Sequence, residues 1–335
     1  MESRREFIQK VFRNEPVDRV PVGFWFHFLT DDQLNYAGLT HPDLMEKSYQ
    51  GHKDYIEKFD PDFVKIMTDG LFCRPANSLP AVFTAKDLYD IKPLPHDHIF
   101  FKESLKLAKT VRGYAGDDRM VFYNIFSPLF NLARYLNDTT ELYTVYDLLQ
   151  QDPEAVKYAL EVIGDDMAYL AELVMTEGTC DGIYFSVNNC QRVIPLVQYE
   201  KYVEHSEVKV LDAANKHGQY NILHICGYHG AQNYLHAYKD YPAQVINWAV
   251  HVEGVSLVEG KKMFGGKPII GGFDQMPGGL INVGNKEDIQ AFTAQMLEET
   301  GNVGIVVGAD CTVPADTPLE HLEWVREKVN ELTAK

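Results

Sequence analysis

Cysteine is scarce in this chain: Cys73, Cys180, Cys190, Cys226 and Cys311 are its only five. So few thiols, odd in number and irregularly spaced, exclude a secreted disulfide scaffold. Long apolar runs are missing as well, and none approaches the roughly 20 residues that span a bilayer. The first residues, 1–16, begin charged and become amphipathic, without the apolar core of a signal peptide. The expectation is a cytoplasmic protein with no membrane partner. Positive charge is in deficit: 31 Lys and Arg stand against 48 Asp and Glu, a net charge of −17. A surface that binds nucleic acid must neutralise phosphates, so DNA and RNA are excluded as main partners. A small anionic ligand is not excluded, because an acidic protein can hold a local basic pocket. There is also no CxxC, no HExxH and no nucleophile elbow, and the glycine runs have neither phosphate-loop nor dinucleotide spacing.

What remains is an ordinary globular composition, 45% hydrophobic and 24% charged over 335 residues. That length suits one large barrel or two smaller domains. Apolar segments of strand length alternate with helical periodicities along the chain. Strands are expected in 20–28, 63–69, 119–126, 180–187, 220–226, 268–274 and 303–310. The stretch between residues 232 and 260 is less regular, and Val255–Val258 is the expected sixth strand. Residues 152–178 read as a long helix, or as two helices joined near Gly164. Near-continuous apolar strands interleaved with helices predict a parallel sheet buried on both faces. No linker rich in Pro, Gly and Ser divides them. A single (β/α)8 TIM barrel over residues 1–335 is therefore expected, with a doubly wound sheet as the alternative.

Polar residues gather at the expected strand ends: His27, Asp69, Asn124, Ser186, Asn188, His224, Cys226, Asp274, Asp310 and Cys311. In a barrel these ends converge at the C-terminal mouth, where such enzymes do their chemistry. His224 and Cys226, two apart on one strand, point to the same face. Cys311 brings a third donor from the last strand. One imidazole and two thiolates suit zinc and leave a fourth position open. The bland reading is weighed beside this one, since a buried cysteine is often only a small hydrophobe. It is preferred for Cys73, Cys180 and Cys190, while His96 and His98 read as surface loop residues. His27, Asp69, His229 and Glu259 are candidates for a fourth ligand, and a water site is the alternative. Trp25 and His27 are expected to face the cavity within an otherwise core aromatic run. Asp69 is balanced between a ligand-contacting carboxylate and a helix cap.

Segments spread over essentially the whole chain, FRNEPVDRVPV, FVKIMTD, LHICG, GGKPIIGGFDQMPGGLINVGNKEDI and GADCTVPADTPLEHLEWVREKV, resemble the uroporphyrinogen decarboxylase superfamily. The resemblance implies the same barrel. It also implies arginines after the first strand and a Gly-His-Gly setting after the last in true decarboxylases. Here those places read GFWFHF and GADCTVP. The superfamily's cobamide-dependent methyltransferase branch carries instead a His-x-Cys followed much later by Cys, which matches His224, Cys226 and Cys311. By that resemblance the expected activity is zinc-dependent methyl transfer between a methylated corrinoid, carried by a corrinoid-binding partner protein, and a thiol or tetrahydrofolate-type acceptor. Asp69 would join the three metal ligands in the catalytic set. His27, Asn124, Ser186, Asn188 and Asp274 would contact the corrinoid or acceptor. Two alternatives stand. One is decarboxylation of a pyrrolic carboxylate, with Arg74 and Arg192 replacing the missing arginines. The other is a non-catalytic corrinoid- or tetrapyrrole-binding protein.

Overall fold

Short runs of buried β-branched and aromatic residues each make one strand of a single sheet. In the computed structural model, which describes residues 2–75, 84–136, 142–227 and 230–333, these are β1 (Val22–Gly23), β2 (Phe63–Ile66), β3 (Met120–Phe126), β4 (Gly182–Val187), β5 (Ile222–Ile225), β6 (Val245–Trp248), β7 (Ile269–Phe273) and β8 (Ile305–Ala309). All recorded pairings are parallel, in the order β1-β8-β7-β6-β5-β4-β3-β2. The sheet curls into an eight-stranded near-barrel.

No backbone ladder joins β1 to β2 among the described residues. Side chains occupy that seam. The Asp62 carboxylate accepts the Val22 N–H at 3.4 Å and binds the Arg19 guanidinium. Further along, the Asp69 carboxylate accepts the N–H groups of Phe28 and Leu29 at 2.6 and 3.2 Å.

The barrel lumen is filled from its N-terminal end by Phe63, Met120, Phe122, Ile222, Val245, Ile270 and Val306. The helix Arg4–Phe12 packs Phe7, Ile8, Val11 and Phe12 into the same cluster. Its start is set by a capping box, in which Ser3 accepts the Glu6 N–H and the Glu6 carboxylate accepts the Ser3 N–H. Burying each large apolar side chain contributes roughly 1.5–3 kcal/mol. That end is closed by packing, which leaves the C-terminal end of the strands for chemistry.

Two sequence expectations need correction, and one open alternative closes. β1 is far shorter than 20–28; beyond Gly23 only an isolated bridge pairs Phe26 with Val313. The N–H groups of Phe28 and Leu29 turn to the Asp69 carboxylate in place of a neighbouring strand. The sixth strand is Val245–Trp248, not Val255–Val258. Gly254 turns left-handed at φ 65°, and Ser256 with Glu259 forms a capping box that starts the helix Leu257–Met263 instead. Residues Pro153–Thr176 form one unbroken helix. Gly164 is there for close packing, since a Cβ at this position would lie 3.2 Å from the Ser206 carbonyl oxygen on the neighbouring helix Glu204–Asn215.

That neighbouring helix carries a buried carboxyl. Glu207 Oε2 accepts the hydroxyls of Tyr199 and Tyr241 at 2.5 and 2.8 Å. Burial pushes Glu207 up to about 7, from an ordinary 4.5. The folded state therefore holds this proton where the unfolded chain has lost it. Its contribution to stability is full below the unfolded value and falls as pH rises through about 7. Glu207→Gln is accordingly expected to gain on the wild type, by on the order of 1–3 kcal/mol, between about pH 5 and pH 8. Paired denaturation curves at the two pH values check this, and an unchanged difference would contradict it.

Candidate metal centre

His224 is the third residue of β5, and Cys226 follows that strand directly. Cys311 comes two residues after the end of β8. The ligand atoms of these three residues all lie within 4.8 Å of one another. His224 Nε2 stands 3.4 Å from Cys311 Sγ. The Cys311 thiol is held well below its ordinary range by its hydrogen bond with Cys226, with His224 and Lys65 adding and burial opposing. A thiolate is thus favoured at the place where a soft cation would need one.

Each member of the cluster is anchored from outside it. Asn247, on β6 and 0% exposed, accepts the His224 Nδ1 proton on its Oδ1 at 2.5 Å and the Tyr184 hydroxyl on the same oxygen at 2.6 Å. Its Nδ2 donates to the carbonyls of Ile270 and Ala309 at 2.8 and 3.3 Å. Flipping this amide would set its oxygen against two carbonyls, so its orientation is determined. His224 therefore carries a proton on Nδ1, and Nε2 is the ring nitrogen that faces the two thiols. The Cys226 carbonyl is held by the side-chain amides of Asn188 at 2.5 Å and Asn233 at 3.1 Å. Next to Cys311, the buried Asp310 carboxylate accepts the His251 N–H and Nδ1–H at 2.9 and 2.8 Å and the Gly272 N–H at 3.2 Å.

The cluster forms part of the wall of a cavity of about 160 Å³ at the C-terminal mouth. Of the other residues singled out in the sequence, His27, Asn124, Ser186 and Asn188 also line it. Ser186 donates to Asn124 Oδ1 at 3.1 Å, which joins β4 to β3 beside the cluster. Asp69 and Asp274 do not line it. Asp69 spends its oxygens on His27 Nδ1, at 2.9 Å, and on the backbone of Phe28 and Leu29. Asp274 accepts the Met276 N–H. Glu259 serves its helix cap, and His229 lies outside the described residues.

Neither arginine offered for a decarboxylase reaches the cavity. Arg74 is buried against Asp166 at 2.7 Å, and Arg192 is exposed. His98 caps the helix Ile99–Ala115, and His96 stacks on Tyr169. Burial pushes the Cys73 and Cys180 thiols up to about 12, as befits packing residues.

Sequence reasoning missed three features at or behind this cavity. One is Asn247. The second is Lys65 on β2, whose ammonium lies over the rings of Tyr184 and Trp25 at 3.8 and 4.9 Å. Burial lowers Lys65 to about 8. The third is an apolar wall in which Phe126 packs between Phe72 and Phe130, with ring centroids 4.4 and 4.2 Å apart. The available signal was a polar residue within an apolar strand, FVKI and VINW, which counts of hydrophobic periodicity pass over.

The uroporphyrinogen decarboxylase model matches residues 3–332. The chain belongs to the uroporphyrinogen decarboxylase family. No curated protein matches the sequence. Among solved structures, this member of the family is similar to a methyltransferase from Methanosarcina mazei, with a TM-score of 0.77 and 16% identity over 99% of both chains. It is matched more weakly with a putative vitamin-B12 independent methionine synthase from Listeria monocytogenes, with a TM-score of 0.45 and 12% identity over 96% of this chain and 99% of that one. Both likenesses concern the fold. What this family member can do chemically rests on its own site, a His/Cys/Cys cluster able to coordinate a divalent metal.

Because Asn247 sets the tautomer and direction of His224, Asn247→Ala is expected to weaken metal binding by about 10- to 100-fold without removing a ligand. Zinc titration against a competing chromophoric chelator measures this. An affinity equal to wild type in a folded variant would show that His224 needs no such support.

Proposed function

We propose that this protein is a zinc-dependent methyltransferase that moves a methyl group between a methylated corrinoid and a thiol or tetrahydrofolate-type acceptor, with the corrinoid presented by a partner protein. The observation that carries the reading is the convergence of His224, Cys226 and Cys311 on one cavity, from strands at distant points of the chain. The likeness in fold to a methyltransferase supports it, as does the absence of a free cluster of arginines from the described cavity wall.

The donor set fits zinc: two soft sulfurs and an imidazole nitrogen freed by its Nδ1 hydrogen bond. His224, Cys226 and Cys311 would hold the ion, whose chemistry is to lower the pKa of an acceptor thiol so that it is present as thiolate. The chain's own residues do the rest. Asn247 holds the His224 ring in place. The Asn188 and Asn233 amides fix the backbone of Cys226, and Asp310 anchors the turn that carries Cys311. Phe72, Phe126 and Phe130 supply an apolar wall that excludes water from the transfer path. His27 and Asn124 would orient the acceptor. In the transfer, a lone pair on the acceptor forms the new bond to the methyl carbon. The carbon–cobalt bond breaks with its electron pair remaining on cobalt.

His224→Ala, Cys226→Ser and Cys311→Ser are each expected to lose bound zinc and, with it, methyl transfer from methylcobalamin to a small thiol. Elemental analysis and the change in corrinoid absorbance read the two losses separately. A zinc-free preparation that transfers methyl groups at full rate in the presence of chelator would sink the proposal.

A further inference from the structure

Lys65 is 7% exposed, yet its Nζ makes no hydrogen bond or ion pair among the described residues. It lines the same cavity as His224, Cys226 and Cys311. Among the described residues it packs against the faces of Tyr184 and Trp25, and the negative groups that act on it are the sulfurs of Cys311 and Cys226 and the Asp69 carboxylate. Those faces favour the ammonium but cannot neutralise it. Asp69 does not line the cavity, and its oxygens are engaged by His27 and by backbone N–H groups. The other two charged residues on the cavity wall, Asp31 and Arg134, are more exposed and opposite in sign. A buried, unpaired cation is costly unless something negative meets it.

The charge count of the loaded cluster shows what that is. A neutral imidazole, two thiolates and a divalent cation sum to zero, so the ammonium of Lys65 leaves the inner cavity with one positive charge. We propose that Lys65 is an anion-binding residue, supplying the counter-charge for a small monoanion that fills the open position beside His224, Cys226 and Cys311. The inference rests on the metal-centre reading above. It adds a residue that reads the charge of the incoming ligand while touching none of the three metal ligands through a hydrogen bond. The cavity, about 160 Å³, has room for such an anion beside the cluster.

The test uses the full chain loaded with cobalt(II), whose visible spectrum reports ligand binding without any methyl transfer. Three probes are titrated: azide as a bare monoanion, 2-mercaptoethanol as a small thiol, and imidazole as a neutral ligand. In Lys65→Met, azide and the thiol are expected to bind at least ~10-fold more weakly, with imidazole changed less than about twofold. Lys65→Arg, which keeps the charge, should stay near wild type for azide. Lys65→Gln repeats the measurement should the methionine variant fold poorly. Equal weakening of all three probes, or no weakening of azide, overturns the role of Lys65 while leaving the metal centre standing. Failure of the wild-type protein to take up cobalt overturns the metal-centre reading, and the role of Lys65 with it.

Discussion

The amide of Asn247 is the constraint on which this architecture turns. It is fully buried, it uses both lone pairs and both protons, and its four partners belong to β4, β5, β7 and β8. A buried amide with every bond made is stable, and one with a bond broken exposes a desolvated polar group. The side chain is therefore locked in one orientation, and it locks the others. Tyr184, whose burial keeps its phenol protonated, can only donate to it. The imidazole of His224 can only turn Nε2 inward. β6 carries no member of the cluster, yet the short helix after it supplies His251, which braces Asp310 beside Cys311. Two of the three cluster positions are thus set from β6 and the residues that follow it.

Polarity is graded along the barrel axis. The N-terminal end is aromatic and aliphatic and is plugged by the first helix. Above it stand Tyr184 and Lys65, and above these the imidazole, the thiols and the amides. The low dielectric of the layer below strengthens every charge interaction above it. Burial lowers Lys65 there against the pull of the nearby sulfurs, while the hydrogen bond with Cys226, helped by His224 and Lys65, lowers Cys311 against burial. The overall −17 charge plays no part in this, being spread over a solvated surface.

Much of this was legible in the sequence, and the parts that were not share a cause. The eight-strand barrel follows from local apolar runs, the His224 and Cys226 pair from the two-residue spacing in HIC, and Cys311 from its place at the end of the last apolar run. Such signals need no knowledge of neighbours. Asn247 and Lys65 were passed over because each interrupts an apolar strand, and nothing local distinguishes a functional polar residue there from a satisfied core one. The sixth strand was misplaced because VSLV and VINW are equally apolar. What separates them is a helix start at Ser256, which prevents the later segment from pairing. Asp69 stood at a strand end like the ligands do, but its carboxylate faces the backbone across the seam, a direction that only tertiary structure sets.

That seam gives the barrel an unusual mechanical character. A ring of eight unbroken ladders behaves as a hoop, in which a displacement of one strand is felt by every other. Here the run of backbone hydrogen bonds has two ends, fastened by the carboxylates of Asp62 and Asp69, so the sheet is closer to a bracelet with a clasp. At the clasp a shift of one edge would strain side-chain hydrogen bonds and leave the backbone ladder intact. β5, which carries His224, lies well inside the continuous run, whereas the segment carrying His27 stands beside the clasp.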